Sequence, residues 1–245
     1  MGIMSFNRRI YYRLRRFFPH ADVSVASAYP SVVGEFARSG QVIVDVGGGA
    51  QCAFARECAG SHIIAVDISP SELQKNRDVA DCRVGDVTRQ IPVPDGSSDI
   101  VSSRFVLEHL CGVDTFAREA YRVLKPGGVF ITLFPNKYAP FSVINRLLPV
   151  SLARRVAYMF KEQAAEFGIF PAYYEYCSPR AFRQLLESQG FTSVDVKVAY
   201  SQSSYFNFCV PLALAVLVYE WAVSRLNLQA LSAHVLVCAR KPAVI

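Results

Sequence analysis

Three carboxylates in this chain stand where a nucleoside could be held. Asp45 ends the apolar run QVIVDV and opens a glycine loop, VDVGGGAQ over residues 44–51. Asp67 ends a second apolar run, HIIAVD, with Ile68 beside it, and Asp86 stands in GDV with Val87 after it. Glycines between a strand and the next element let backbone approach a ligand closely. A helix N-terminus beyond them offers N–H groups to an anion. An acid about twenty residues further on suits the two hydroxyls of a ribose. A third, ending a short strand, can accept from an adenine amino group.

Two nucleotide-type loop patterns compete for these residues. The dinucleotide fingerprint GxGxxG needs a third glycine where Cys52 stands. The pattern Asp-x-Gly-x-Gly is met by Asp45, Gly47 and Gly49, with Gln51 in place of a further glycine. An ordinary strand-to-helix turn is the plainest alternative for the loop taken alone.

The elements that position these residues alternate. Strand-length apolar runs cover 41–46, 62–67, 81–86, 97–103, 128–134, 192–200 and 232–240. Helical stretches are expected at 51–58, 69–77, 113–124 and 178–189. Ser69-Pro70 reads as an N-cap with proline at the first helical position, and Gly190 as a terminating glycine. Strand and helix in repetition predict an open parallel α/β sheet with helices on both faces. Ligands of such sheets bind outside the carboxyl ends of the strands, where the glycine loop and the acids fall.

The set DVGGG, AVDIS, GDV, DIVSSRFVLEHL and VLKPGGVFITLFPN resembles a class I S-adenosylmethionine-dependent methyltransferase, of the methyltransferase type 11 kind, over roughly residues 40–136. The resemblance implies a Rossmann-like seven-stranded sheet, order 3-2-1-4-5-7-6, with the last strand antiparallel. It implies S-adenosyl-L-methionine as cofactor. By it, Asp45, Gly47 and Gly49 flank the methionine part, Asp67 takes the ribose, and Asp86 and Val87 take the adenine. Ser103 and Arg104 lie beside the cofactor, near where the acceptor enters.

Methyl transfer from a sulfonium is an in-line displacement, so the protein must align the acceptor and exclude water. A hydroxyl acceptor also gains from a general base. His109 is the first candidate, against the plainer reading of a helix residue packed near the cofactor. Some quinone-pathway and RNA 2′-O-methyltransferases carry ExxEH here and bind a divalent metal. This chain has Phe105 in place of the first acid, so no metal is expected. Glu162, Glu166, Tyr173, Tyr174 and Glu175 are further base candidates on the acceptor side.

Composition bounds the rest. The chain has 245 residues, is 52% hydrophobic and carries a net charge of +6. That suits one domain over about 23–245 behind a basic arm, 1–22, in which Arg8, Arg9, Arg13, Arg15 and Arg16 precede the first acid. Inserts fall at about 137–177 and 201–231. Seven scattered cysteines without a CxxC pair read as reduced thiols of a cytoplasmic protein. The arginine-broken start does not read as a signal peptide, although it also suits a mitochondrial transit peptide. No nucleic-acid motif is present, and the oligomeric state is not legible.

The apolar stretch PLALAVLVYEWAV, 211–223, lies between the two closing strands, which pair in this fold. A single membrane crossing between them would strand the last one on the far side. The run is also shorter than the ~20 apolar residues a span needs. It is expected to cap the acceptor cleft or lie in a membrane interface, as is the arm NRRIYYRLRRFF on anionic lipid. These features favour a methyltransferase for an amphiphilic, lipid or glycan-linked acceptor, peripheral on the inner membrane face. A methyltransferase for a small aromatic or quinone-like metabolite, its pocket lined by Tyr173, Tyr174 and Phe206, is the first alternative. A non-catalytic, cofactor-binding assembly partner is the second.

Overall fold

The structure, a computed structural model, describes residues 3–18, 24–147 and 171–243. The strands are β1 (Val42–Val46), β2 (His62–Asp67), β3 (Asp81–Val84), β4 (Ser98–Arg104), β5 (Leu124–Pro135), β6 (Thr192–Ala199) and β7 (His234–Arg240). They form one sheet in the order β3-β2-β1-β4-β5-β7-β6. β7 is antiparallel to both neighbours, and the other pairs are parallel. This is the order and the reversed last strand that the motif set implies.

Alternation along the strands divides the core. Val44, Val46, Val101, Phe130 and Val237 point to one face, where they meet Phe116 of α4 (Val113–Val123) and Phe182 of α6 (Pro179–Ser188). Ile43, Ile100, Ile131, Leu133 and Leu236 point to the other, against Tyr29 and Val33 of α2 (Val25–Phe36). The period of two puts one apolar side chain on each face in turn, as a doubly covered sheet requires. Burying each of these phenylalanines contributes about 2–3 kcal/mol.

Several expected helices differ. α6 ends where the sequence predicts, with Gly190 at φ +92°. α2 was not anticipated; Pro30 lies inside it, and Ser24 caps it through the Ser27 N–H. Residues 53–60 form turns, not a helix over 51–58. The Cys52 N–H is instead taken by the Asp78 carboxylate (3.0 Å), and Gly60 at φ +92° turns the chain back. The stretch 69–77 gives only the short α3 (Pro70–Leu73), capped by Ser69 as expected. Asn76 ends it by turning its amide to the Gly48 and Gly49 carbonyls while its oxygen accepts from the Asp78 and Val79 N–H groups. Side chains that compete for backbone groups stop helices in this way.

The connection from β6 to β7 decides where the apolar tail lies. His234 pairs with Pro135 at the end of β5 and with Ala199 at the end of β6. Residues 200–233 therefore leave and re-enter the sheet at its carboxyl edge, the edge of the glycine loop. They carry α7 (Val210–Arg225), on which α1 (Ile3–Arg15) packs through the buried ring of Tyr11. Phe206 belongs to this small core, with Ala213, Val216 and Leu217, and so does not line a pocket with Tyr173 and Tyr174. Among the described residues no helix is long and apolar enough to cross a membrane.

α7 is turned with its acid inward. Glu220 is wholly buried and accepts from the Gln202 and Ser203 N–H groups and from the Ser203 hydroxyl. Ser203 in turn meets the Tyr11 hydroxyl at 3.0 Å, which ties α1 to the same point. Leaving two buried N–H groups unmet costs about 1–3 kcal/mol each. Glu220→Leu should therefore lower unfolding stability by about 2–4 kcal/mol, and Glu220→Gln by less, in a denaturant titration. The larger loss should be accompanied by proteolytic release of α1.

Candidate functional site

The carboxyl ends of β1, β2 and β4 bring the predicted acids and the glycine loop together. β1 lies between β2 and β4, so its end is the point at which strand order reverses. Asp45, Asp67 and Asp86 follow from β1, β2 and the end of β3. A cluster of carboxylates suits a cationic nucleoside and repels the pyrophosphate of a dinucleotide. The residue pattern and its charge thus agree.

The loop itself is drawn tight. Gly47 has φ +73°, and a Cβ there would stand 2.2 Å from Val106 Cγ2. Only glycine fits that approach, which packs the loop against the segment after β4. Its N–H groups are largely taken: those of Gly47 and Gly48 by the Val66 carbonyl, and that of Gly49 by Asp67 Oδ2 at 3.1 Å. With Cys52 N–H on Asp78, the expected free helix terminus for an anion is not formed. What the loop offers a ligand is close backbone approach and negative charge.

Each acid has a distinct setting. Asp45 is buried, and burial pushes its carboxyl up to about 7; a hydrogen bond from Cys52 and the charge of Arg104 pull the other way, while Asp67 adds to the rise. Asp67 is held by Gly49 N–H and by Ser69 N–H (2.8 Å), which fixes its plane and leaves lone pairs for further donors. Ile68 after it is 60% exposed, an apolar platform beside the acid. Asp86 turns Oδ1 to the Thr88 N–H and hydroxyl and Oδ2 toward Arg89 at 3.4 Å. Val87 is buried in the core below it.

The end of β4 differs from expectation at one residue. Ser103 is fully buried and its hydroxyl meets Thr132 Oγ1 at 2.7 Å, inside the sheet. Its side chain is therefore committed to β5 and not open to a ligand. Arg104 is exposed, its guanidinium 5.3 Å over the Phe105 ring. Phe105 holds φ +57°, a conformation that costs a non-glycine residue about 1–3 kcal/mol and clusters at ligand sites.

His109 lies on the 3-10 turn Leu107–His109 rather than in a helix. Its Nδ1 is 2.9 Å from the Pro171 carbonyl, and burial lowers its basicity. Tyr173 and Tyr174 reach the same turn, both donating their N–H to the Glu108 carbonyl. Glu175 accepts from the Gly112 N–H at 2.9 Å, so it braces the start of α4. Glu162 and Glu166 lie outside the described residues. Among the described residues no three His, Cys, Asp or Glu side chains come together as a metal site.

Two residues of the site have no signal in the sequence. Tyr29 of α2 reaches under β4 to the Ser102 hydroxyl and stands near Asp45. Glu108, the residue before His109, is 6% exposed, with its carboxyl pushed up to about 8 by burial.

Comparison with known proteins agrees with this geometry. Residues 44–132 match the family described as a methyltransferase domain. The chain is 29% identical over 174 residues to a ubiquinone/menaquinone biosynthesis C-methyltransferase of Methylobacterium nodulans, covering 62% of this chain and 66% of that one. Curated relatives are spanned for between 22% and 66% of their length. Among solved structures, an S-adenosylmethionine-dependent methyltransferase from Archaeoglobus fulgidus superposes with a TM-score of 0.59 at 16% identity, over 94% of this chain and 99% of that one. A phosphoethanolamine N-methyltransferase of Haemonchus contortus in complex with S-adenosyl-L-methionine does so at 0.53 and 20% identity, over 86% and 51%. Residues 44–132 match a methyltransferase domain, and the whole sheet has the fold of these solved S-adenosylmethionine-dependent methyltransferases.

Proposed function

We propose that the chain transfers a methyl group from S-adenosyl-L-methionine to an amphiphilic acceptor, a lipid or a glycan-linked carrier, while resting on an anionic membrane surface. In this reading Asp67 takes the ribose hydroxyls, and Asp86 and Val87 the adenine. Gly47, Gly49 and Asp45 flank the methionine part, and Arg104 stands at the acceptor side. The tight loop at Gly47 and the ring of acids support that assignment, since the cofactor carries a sulfonium.

The observation that carries the membrane reading is the outward face of α7. Leu214, Val218 and Trp221, spaced i, i+4 and i+7 along α7, are 38%, 49% and 49% exposed, while Glu220 points in. An apolar stripe of this kind is costly in water and marks a docking surface. α1 lies against the same helix and exposes Arg8, Arg9, Arg13 and Arg16 with Phe6 and Phe17. Apolar side chains interleaved with arginines complement anionic headgroups. A quinone-like acceptor is the second reading, supported by the names of the curated relatives.

Three measurements test this. Methyl-labelled cofactor, the full chain and a whole-cell extract should give enzyme-dependent label in the organic phase. Label confined to the aqueous phase overturns the lipid acceptor. Asp67→Ala should weaken cofactor binding about tenfold to a hundredfold, the loss of hydrogen bonds to a charged acceptor, and remove the label.

Vesicles of phosphatidylglycerol should sediment the chain and phosphatidylcholine vesicles should not. Val218→Asp with Trp221→Asp should abolish that binding with cofactor affinity unchanged.

Asp45 gives a pH signature. Its carboxyl is raised to about 7, so the charged form that attracts the sulfonium fills as pH rises through that value. Cofactor affinity should increase between about pH 6 and 7.5, and Asp45→Asn should lack the increase in a calorimetric titration.

A further inference from the structure

We propose that Glu108 is the residue that takes the proton of the methyl acceptor, and that the acceptor presents a phenol- or enol-type hydroxyl to it. This rests on the methyltransferase reading above and specifies the acceptor group of that same site.

Glu108 Oε2 is buried and has no hydrogen-bond partner among the described residues. A buried carboxylate oxygen without a donor is costly, and folded proteins rarely keep one without use. The carboxyl's one backbone donor is its own N–H, and Oε1 lies 3.9 Å from His109 Nε2. A further orphan is Gln202 Nε2 after β6, and Ser142 of α5 (Pro140–Leu147) turns its hydroxyl toward Tyr174. The other amide atom of Gln202 accepts from the Phe141 N–H at 3.3 Å, and Asn145 of α5 reaches the Tyr174 hydroxyl at 3.4 Å. The turn of Glu108 and the segment after β6 thus bring unmet polar atoms to the carboxyl edge, where sheets of this kind bind ligands.

The position of Glu108 relative to the cofactor loop follows from Val106, whose Cγ2 abuts Gly47. The turn that starts against the loop carries Glu108 two residues later, on the acceptor side. Aromatic rings furnish the surroundings. Burial raises the Tyr174 and Tyr205 phenols and the nearby Glu108 charge adds to the rise, and Phe141 stacks on Tyr205 with ring centres 4.7 Å apart. Such surroundings take a flat or apolar body bearing one polar group. The strained Tyr174, at φ +56°, holds that wall in place.

The step balances without a further reagent. The acceptor oxygen donates a lone pair to the methyl carbon, forming the O–C bond, or an enolic carbon does so through its conjugated hydroxyl. The carbon–sulfur pair stays on sulfur as S-adenosylhomocysteine, and the hydroxyl proton passes to Glu108. When a carbon is the acceptor, the ring proton lost on rearomatisation replaces the one returned to the hydroxyl. A carboxyl raised toward 8 is closer in acidity to a phenol, near ~10, than an ordinary glutamate is, which is what proton transfer between them needs.

The groups that face Glu108 are His109 on its own turn, Tyr174 and Cys177 before α6, and Tyr205 after β6. None of them supplies a fixed positive charge to hold it ionised. The unfolded chain releases this proton near the ordinary glutamate value while the folded one keeps it to about 8. Glu108 therefore costs stability increasingly as pH rises across that window, and the cost is complete above it.

Glu108→Gln in the full chain tests the assignment through labelling and melting together. The variant should bind S-adenosylhomocysteine as the wild type does. It should melt at the same temperature at about pH 5 and higher than the wild type at about pH 8. Its labelling of the extract should fall by about a hundredfold or more, with the rise of rate with pH lost. Glu108→Asp should restore part of the labelling. Wild-type labelling by the Gln variant, or a melting temperature below the wild type at pH 8, overturns the proposal and makes Glu108 a bystander or a structural residue. No labelling by the wild type itself would sink the methyltransferase reading along with it, which the Gln variant alone cannot do.

Discussion

The antiparallel seventh strand is the constraint on which the rest of the molecule depends. β7 enters between β5 and β6 and starts at their carboxyl ends, where His234 faces both Pro135 and Ala199. The chain between β6 and β7 cannot lie anywhere but at that edge. Had β7 been parallel, a crossover would have carried α7 along a face of the sheet, away from the glycine loop. With β7 reversed, α7, the turn at Ser203–Phe206 and the packed-on α1 become a roof on the ligand side.

The roof is held by one buried acid. Glu220 satisfies two backbone N–H groups and a hydroxyl that would otherwise be orphaned, and Tyr11 joins through Ser203. That bonding fixes the rotation of α7 about its axis. Turning the acid inward turns Val218 and Trp221 outward, so a polar requirement inside creates an apolar surface outside. The same logic governs the cofactor side, where Asp67 and Asn76 spend their polar atoms on the glycine loop and shape it before any ligand arrives.

Two further buried acids differ from Glu220: Asp45 is met by Cys52, and Glu108 keeps Oε2 without a donor among the described residues. Asp45 and Glu108 are both buried and both raised by burial, one beside the loop and one beyond it. Carboxyls raised by burial in this way cluster at functional sites. Phe105 and Tyr174, non-glycine residues at positive φ, bracket the same region. Strain and an unmet carboxylate oxygen therefore coincide at the carboxyl edge of the sheet.

The residues around the glycine loop were legible because their chemistry is local. DVGGG, AVDIS and GDV each place an acid at a strand end within a few residues of sequence, and period-two apolar runs mark the strands themselves. Strand order, cofactor and the match over 44–132 followed from them. The helices at 51–58 and 69–77 were misread because Asp78 and Asn76, outside the first stretch and inside the second, compete for its backbone groups. Ser103 was misplaced because its partner, Thr132, lies on another strand. The sequence by itself determined that Asp45, Asp67 and the glycine loop meet at the ends of β1 and β2, since adjacent residues carry that information. Only the tertiary structure decided which way Glu220 faces, what Tyr29 and Glu108 touch, and that the apolar tail roofs the site, because each depends on contacts between elements distant in the chain.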